Sequence, residues 1–132
     1  MQNKININLY NYKIFSGRYI EYEIDGKAKE YNYKDELEYD GEYLNGKRNG
    51  KGKEYHDGTL IFEGEYLNGK RNGKGKEYDY DGNLIFEGEY LNGKEWNGKG
   101  YNENNEIEYE LNNGKGIMKS YYDNGQLVFI SL

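Results

Sequence analysis

The sequence predicts an all-β fold, an elongated single-layer antiparallel sheet of consecutive β-hairpin repeats with essentially no helix. Three observations predict it. The chain repeats itself at a fixed period, each repeat contains a stretch with strand-like alternation, and Asn-Gly or Asp-Gly pairs separate the strands. Because a hairpin repeat buries little apolar surface alone, it must stack on its neighbours, and we expect one continuous array over residues 1–132.

Two segments in the middle of the chain are almost identical. Residues 39–55 read YDGEYLNGKRNGKGKEY and residues 62–78 read FEGEYLNGKRNGKGKEY, so 15 of 17 positions match. The aromatic residue that opens each repeat recurs every 23 or 24 residues. We therefore expect repeats at residues 15–38, 39–61, 62–85, 86–108 and 109–128, with an N-terminal cap at 1–14 and a C-terminal stub at 129–132.

Each repeat is predicted to contain two strands. In the stretch LIFEGEYL, alternation places Phe62, Gly64 and Tyr66 on one side and Glu63 and Glu65 on the other. A shorter run, KGKEY, is predicted as the second strand, with NGKRNG as the connection and HDG or DYDG as the next turn. Because a single sheet has no covering layer, the rings are expected to pack on glycines across the strands.

Composition excludes several classes of protein and site. The absence of cysteine excludes a disulfide framework, a thiolate nucleophile and a Cys-ligated metal, and a single histidine, His56, offers no His pair for a metal. A net charge of -6 argues against nucleic-acid binding. The first residues lack an uninterrupted apolar stretch of signal-peptide or membrane-span length. We expect a cytoplasmic protein with no cofactor and no metal.

The paired carboxylates of each Gly-Glu-Tyr segment, such as Glu63 with Glu65 or Glu87 with Glu89, match the residue types of an acid and base in a hydrolase. They recur in nearly identical copies, whereas a catalytic site is normally built once. We therefore expect these residues to serve the repeat, and we expect no enzymatic activity.

The pattern aromatic-x-Gly-Glu-Tyr, Asn-Gly-Lys, Asn-Gly-Lys-Gly and Asp-Gly, at a period of about 23 residues, resembles the MORN repeat (membrane occupation and recognition nexus). Residues 39–100 carry it closely, and residues 15–38 carry it more loosely. The C-terminal stretch GIMKSYYDNGQLVF is similar to a shorter MORN-variant repeat of a bacterial antitoxin-like family. The resemblance implies a MORN-type β-solenoid with an aromatic-lined groove, used as a scaffold for protein docking or dimerisation.

The first predicted function is protein–protein interaction through that groove. A row of rings would receive an extended or helical segment of a partner protein, because aromatic side chains give a large contact area at a low entropy cost. The alternative is that the rings are the only core of a thin sheet. The predicted groove residues are Phe15, Tyr19, Tyr39, Tyr43, Phe62, Tyr66, Phe86 and Tyr90.

The second predicted function is peripheral binding to anionic membranes through a basic turn edge. Turns that repeat in register would align their cations on one edge, with aspartates on the opposite edge. The alternative is a solvated edge whose charges prevent aggregation. The predicted edge residues are Lys47, Arg48, Lys51, Lys70, Arg71, Lys74, Lys94, Trp96 and Lys99. Trp96 is either a surface anchor or a ring that folds back onto the neighbouring hairpin.

A third predicted function is neutralisation of a partner protein in the manner of an antitoxin, suggested by the variant character of residues 114–129. The resemblance also implies a homodimer formed through the terminal repeats. A chain that binds anionic lipid would be peripherally membrane-associated within the cytoplasm.

Overall fold

The computed structural model describes residues 17–132, and every regular element in that range is a β-strand. The strands run in chain order as β1 (Tyr19–Tyr22), β2 (Lys27–Tyr31), β3 (Leu37–Leu44), β4 (Lys47–His56), β5 (Thr59–Leu67), β6 (Lys70–Tyr78), β7 (Leu84–Leu91), β8 (Lys94–Tyr101), β9 (Ile107–Asn112), β10 (Lys115–Tyr121) and β11 (Leu127–Ser131). They form one antiparallel sheet in sequential order, which confirms the predicted fold class.

The connections between β3 and β4, β5 and β6, and β7 and β8 are two-residue Asn-Gly turns. In the turn after β5, φ is 50° at Asn68 and 86° at Gly69. Positive φ at both positions is typical of the type I′ turn, whose twist suits a hairpin. The predicted six-residue connection NGKRNG is therefore wrong, because only Asn-Gly forms the turn and β6 already begins at Lys70.

The second strand of the hairpin, which begins earlier than predicted, pairs with the first strand through a β-bulge. Between β5 and β6, Gly64 pairs with Gly75 and Tyr66 pairs with Arg71, so β6 has two more residues than β5 across this interval. A register shift near the same turn also occurs between β3 and β4 and between β7 and β8. The bulge keeps Arg71 on the same side of the sheet as Tyr66.

The core lies on one side of the sheet, called here the aromatic face. Tyr39, Phe62 and Phe86 have no exposed surface, and Tyr66 and Tyr90 are 4% exposed. The predicted repeat starts at residues 39, 62 and 86 fall inside β3, β5 and β7, so each sequence repeat begins in the middle of a hairpin strand. The predicted cap at 1–14 and the groove residue Phe15 lie outside the described residues.

Candidate interaction surfaces

The rings of the aromatic face pack directly on a row of glycines. Gly41, Gly52, Gly64, Gly75, Gly88 and Gly98 pair with one another in this order across β3 to β8. A Cβ atom built on Gly75 would lie 2.6 Å from Cζ of Phe62, which leaves no room for a side chain. The rings then meet edge to face, with the Phe62 centroid 5.6 Å from that of Tyr66 and 5.2 Å from that of Tyr90.

Two arginines cover these rings. The Arg48 guanidinium carbon lies 4.3 Å from the centroid of Tyr39, and that of Arg71 lies 4.0 Å from the centroid of Phe62. Such cation–π contacts stabilise a guanidinium that has left bulk water. The arginine side chains are only 22% and 20% exposed, so they belong to the cover of the core.

Glutamates join the arginines into a row that we call the ion-pair ladder, formed by Glu30, Arg48, Glu54, Arg71 and Glu77. Arg48 Nε donates to Glu30 Oε2 at 2.6 Å, Arg71 Nε donates to Glu54 Oε1 at 3.0 Å, and Arg71 Nη1 donates to Glu77 Oε2 at 3.2 Å. Burial opposes ionisation of Glu54, but hydrogen bonds from Arg71 and Tyr66 outweigh it and lower its pKa.

The ladder ends in the fourth repeat, where Glu95 pairs with Tyr90 in the position that Arg71 has beside Tyr66. The Glu95 carboxylate accepts a hydrogen bond of 2.7 Å from the Tyr109 hydroxyl. Its pKa is raised by burial and by the negative charge of Glu77, although the Tyr109 hydrogen bond acts in the opposite direction. The same backbone position therefore holds an ion-paired guanidinium in one repeat, at Arg71, and in the next repeat a carboxylate whose ionisation is opposed by burial, at Glu95.

The other side of the sheet, called here the charged face, has alternating acidic and basic strands. Glu63 and Glu65 on β5 pair with Lys76 on β6 and Lys51 on β4, and Lys76 pairs again with Glu87 on β7. The Lys76 and Glu87 side chains meet at 3.8 Å. A groove of about 960 Å³ crosses this face from β2 to β7 between the charged side chains.

The Asn-Gly turns lie together at the end of the strands called here the turn edge. Gly69 N donates to Arg48 O at 2.9 Å, and Gly93 N donates to Arg71 O at 2.8 Å, so each turn is bonded to the hairpin before it. The residue after each turn glycine is an exposed lysine. These turn lysines are Lys27, Lys47, Lys70, Lys94 and Lys115.

The opposite end of the strands, called here the acidic edge, carries exposed carboxylates in its loops, at Asp35, Asp57, Asp81, Glu103 and Asp123. His56 lies there too, with its ring centroid 4.7 Å from that of Tyr80. Among the described residues, no group of three or more His, Cys, Asp or Glu side chains is arranged to hold a metal ion.

The residues of the predicted basic edge lie in several places. Lys47, Lys70 and Lys94 are at the turn edge, Arg48 and Arg71 are in the ion-pair ladder, and Lys51, Lys74 and Lys99 project from the charged face. Strand alternation explains the division, because β4 and β6 begin directly after the turn and neighbouring residues then point to opposite faces. The predicted single ridge of nine residues is thus divided.

Trp96 folds back toward the next turn. A Cβ atom built on Gly114 would lie 2.6 Å from Cζ3 of the Trp96 ring, and Gly114 N donates to Trp96 O at 2.8 Å. Of the predicted groove residues, Tyr19 and Tyr43 are half-buried and the described others are buried. The sequence prediction missed Lys27 and Lys115, although both follow a glycine as the other turn lysines do.

Residues 17–132 include no helix with the length and apolarity needed to cross a membrane. The family model for the MORN repeat matches residues 39–60 and 62–84. No curated protein matches the chain. MORN repeats are a non-enzymatic type of repeat and generally act as scaffolds for protein or membrane interactions. Residues 39–60 and 62–84 are therefore MORN repeats, and they lie within the sheet of consecutive hairpins.

Proposed function

We propose that this protein is a peripheral membrane scaffold that binds anionic lipid headgroups through its turn edge. The observation that carries the proposal is the row of five exposed turn lysines. Adjacent hairpins are about 10 Å apart, so the row is about 40 Å long. Each lysine near an anionic surface contributes about 1 kcal/mol, which suits reversible binding.

The net charge of -6 does not oppose this orientation. The nine-residue strand β5 separates the turn edge from the acidic edge by about 30 Å, several times the Debye length of about 8 Å at physiological ionic strength. The carboxylates of the acidic edge are therefore too far from a bilayer at the turn edge to repel it, and they point into water.

The experiment is flotation of the purified chain with vesicles of phosphatidylcholine alone or with phosphatidylserine, at 50 and 150 mM salt. Lys47, Lys70 and Lys94 are changed together to Gln, and the matched control changes Lys53, Lys76 and Lys99, which are also exposed but lie on the charged face, to Gln. We expect binding to anionic vesicles only, strongly reduced in the turn variant and kept in the control. Equal loss in both variants would contradict the turn edge as the binding surface.

Reversing Arg48 and Arg71 as well would confuse this test. Both arginines hold half-buried glutamates and cover the rings of the core. Their removal is expected to destabilise the sheet whether or not the protein binds lipid. The turn variant avoids this problem because Lys47, Lys70 and Lys94 form no ion pair among the described residues, and in the control variant only Lys76 has one, with the exposed Glu87 at 3.8 Å.

The groove on the charged face supports a second candidate function, the binding of a partner protein. Its volume of about 960 Å³ and its alternating acidic and basic strands offer a shaped, charged surface. The aromatic face offers a partner mainly the ion-pair ladder, since the rings of Tyr39, Phe62 and Phe86 are buried. Partner binding at the groove would be lost in the Lys53, Lys76 and Lys99 variant and kept in the turn variant.

The antitoxin-like function of residues 114–129 and a homodimer through the terminal repeats stay predictions. Sedimentation at increasing protein concentration tests the dimer.

A further inference from the structure

An aliphatic residue lies two positions before the turn glycine in four consecutive turns of the turn edge. Ile24 is 78% exposed, Leu44 58%, Leu67 50% and Leu91 41%. Single exposed leucines are common on protein surfaces and carry no meaning alone. Here they recur at the same place in neighbouring hairpins, which makes a row.

The leucines and the turn lysines share one side of the edge. Leu44 pairs with Lys47, Leu67 with Lys70, and Leu91 with Lys94. Directly paired residues of two antiparallel strands point to the same face. The edge therefore presents leucine and lysine in alternation, and the row from Ile24 to Leu91 is about 29 Å long at a hairpin spacing of about 9.6 Å.

The hydrogen bonds between successive turns hold this row in line. Besides the backbone bond from Gly93 N to Arg71 O, Asn92 N donates to Asn72 Oδ1 at 3.1 Å, and Asn113 N donates to Asn97 Oδ1 at 2.8 Å. A row fixed in this way loses little conformational entropy when it binds a surface, because its turns are already ordered.

The chemistry of the row favours a bilayer over a protein partner. The row is one side chain wide and has lysine at every second position, whereas the centre of a protein interface is depleted in lysine and built around packed aromatic or arginine anchors. At a membrane surface, a short aliphatic side chain enters the acyl boundary while the neighbouring lysine extends to the headgroups. The alternation of Leu and Lys suits both layers at once.

We propose that Ile24, Leu44, Leu67 and Leu91 insert into the acyl boundary of the membrane, so that the sheet stands on its turn edge. This inference rests on the proposed function, since the lysines bring the edge to the bilayer. The aromatic face then remains in water, because the leucines lie on the same side of the sheet as the charged face, at the end of its strands.

The test separates insertion from charge attraction by salt. Leu44, Leu67 and Leu91 are changed together to Thr, which keeps the strand propensity but removes the aliphatic surface. The matched control changes Ile107, Leu127 and Phe129 to Thr, because these residues are 43%, 42% and 59% exposed and lie away from the turns of the edge. Flotation uses phosphatidylcholine vesicles with 30% phosphatidylserine, from 50 to 500 mM salt.

We expect the wild type and the control to keep part of their binding at 500 mM salt, because the hydrophobic contribution is not screened. Because the lost hydrophobic contribution is not screened by salt, the leucine variant is expected to bind at least about tenfold more weakly than the wild type at both 50 and 500 mM salt. Unchanged thermal unfolding checks that the variant remains folded.

Two results would overturn the inference. If the salt titrations of the leucine variant and the wild type coincide, the leucines do not insert, although the lysine edge still binds and the proposed function survives. If the wild type binds no vesicle at any salt concentration, both the insertion and the proposed function are wrong.

Discussion

The turns after Tyr66 and Tyr90 have the same backbone but opposite charges on the aromatic face. Asn68 and Gly69 have φ values of 50° and 86°, and Asn92 and Gly93 have values of 49° and 87°. The next position but one is Arg71 in the first case and Glu95 in the second. The comparison shows that the turn chemistry sets the backbone, while a single side chain decides whether the ion-pair ladder continues.

The consequence is an asymmetric array. From β2 to β6 the rings lie under linked ion pairs, and beyond β7 a carboxylate with a raised pKa replaces the guanidinium. The residue that pairs with the buried phenylalanine differs as well, since Phe86 pairs with Gly100 where Phe62 pairs with Glu77. The third and fourth repeats thus share a fold and a ring core but differ in what covers it.

The largest effect is expected from removing a ring that both repeats share. Phe62→Ala leaves a cavity between Tyr66 and Tyr90 and is expected to lower the free energy of unfolding by about 3 to 5 kcal/mol. Tyr80→Ala, at a side chain that is 71% exposed, is the control and is expected to change it by less than about 0.5 kcal/mol. Urea unfolding measures both, and equal effects would show that the rings are not the core.

A smaller loss is expected from breaking the ladder where it is complete. Arg71→Met keeps the length of the side chain but leaves Glu77 without its cation and Glu54 with only Arg48, at 3.6 Å, for an expected cost of about 2 kcal/mol. Lys70→Met, on the exposed side of the same strand, is expected to cost less than about 0.5 kcal/mol. A cost for Arg71→Met no larger than that for Lys70→Met would mean that the ladder is not stabilising.

Extending the ladder would sharpen the comparison. Glu95→Arg places a guanidinium beside Glu77, as Arg71 lies beside Glu54, and removes a carboxylate whose ionisation is opposed by burial. Because Tyr109 loses its acceptor at the same time, the expected gain is only about 1 kcal/mol. Thermal unfolding at pH 7 measures it, and a loss of stability would show that the position requires a carboxylate.

The smallest effect is a difference in the sign of pH dependence between two glutamates. The lowered pKa of Glu54 stabilises the fold above its unfolded value, and this contribution is lost as the pH falls through the folded pKa. The raised pKa of Glu95 destabilises the fold at neutral pH, and this cost disappears as the pH falls below the unfolded value of about 4.3.

The two matched variants therefore change stability in opposite directions. Glu54→Gln is expected to destabilise at pH 7, and Glu95→Gln is expected to stabilise at pH 7, with both differences shrinking as the pH approaches 3. Each effect is within about 1 kcal/mol. Urea unfolding of both variants at pH 7 and pH 3.5 checks the signs, and the same sign at pH 7 would contradict the assigned environments.

Much of the fold follows from local patterns in the sequence. The alternation of Phe62, Gly64 and Tyr66 predicts a strand with a ring face, and Asn68-Gly69 predicts a tight turn. The start of β6 at Lys70 was missed because Lys-Arg-Asn-Gly lacks alternation, and only the bulge lets it pair with β5. Arg71 consequently entered the predicted basic edge, although it lies over the Phe62 ring.

The turn edge and the groove of the charged face were harder to predict from the sequence than the fold. The alternation that placed Glu65 in solvent also places Leu67 there, so the exposed leucine could have been predicted. The groove of the charged face could not, because it depends on how the sheet curves and on where long side chains such as Lys74 and Glu89 come to rest. Pairing of turns across the sheet, which makes separate lysines into a row, required the register.

The turn edge as the membrane-binding surface is the central claim, and vesicle flotation with the two lysine variants tests it most directly. We expect the chain to float with anionic vesicles at 50 mM salt, and we expect flotation to be strongly reduced when Lys47, Lys70 and Lys94 are changed to Gln but unchanged when Lys53, Lys76 and Lys99 are changed. Flotation of the turn variant equal to that of the wild type, or an equal loss in both variants, would contradict the turn edge as the binding surface.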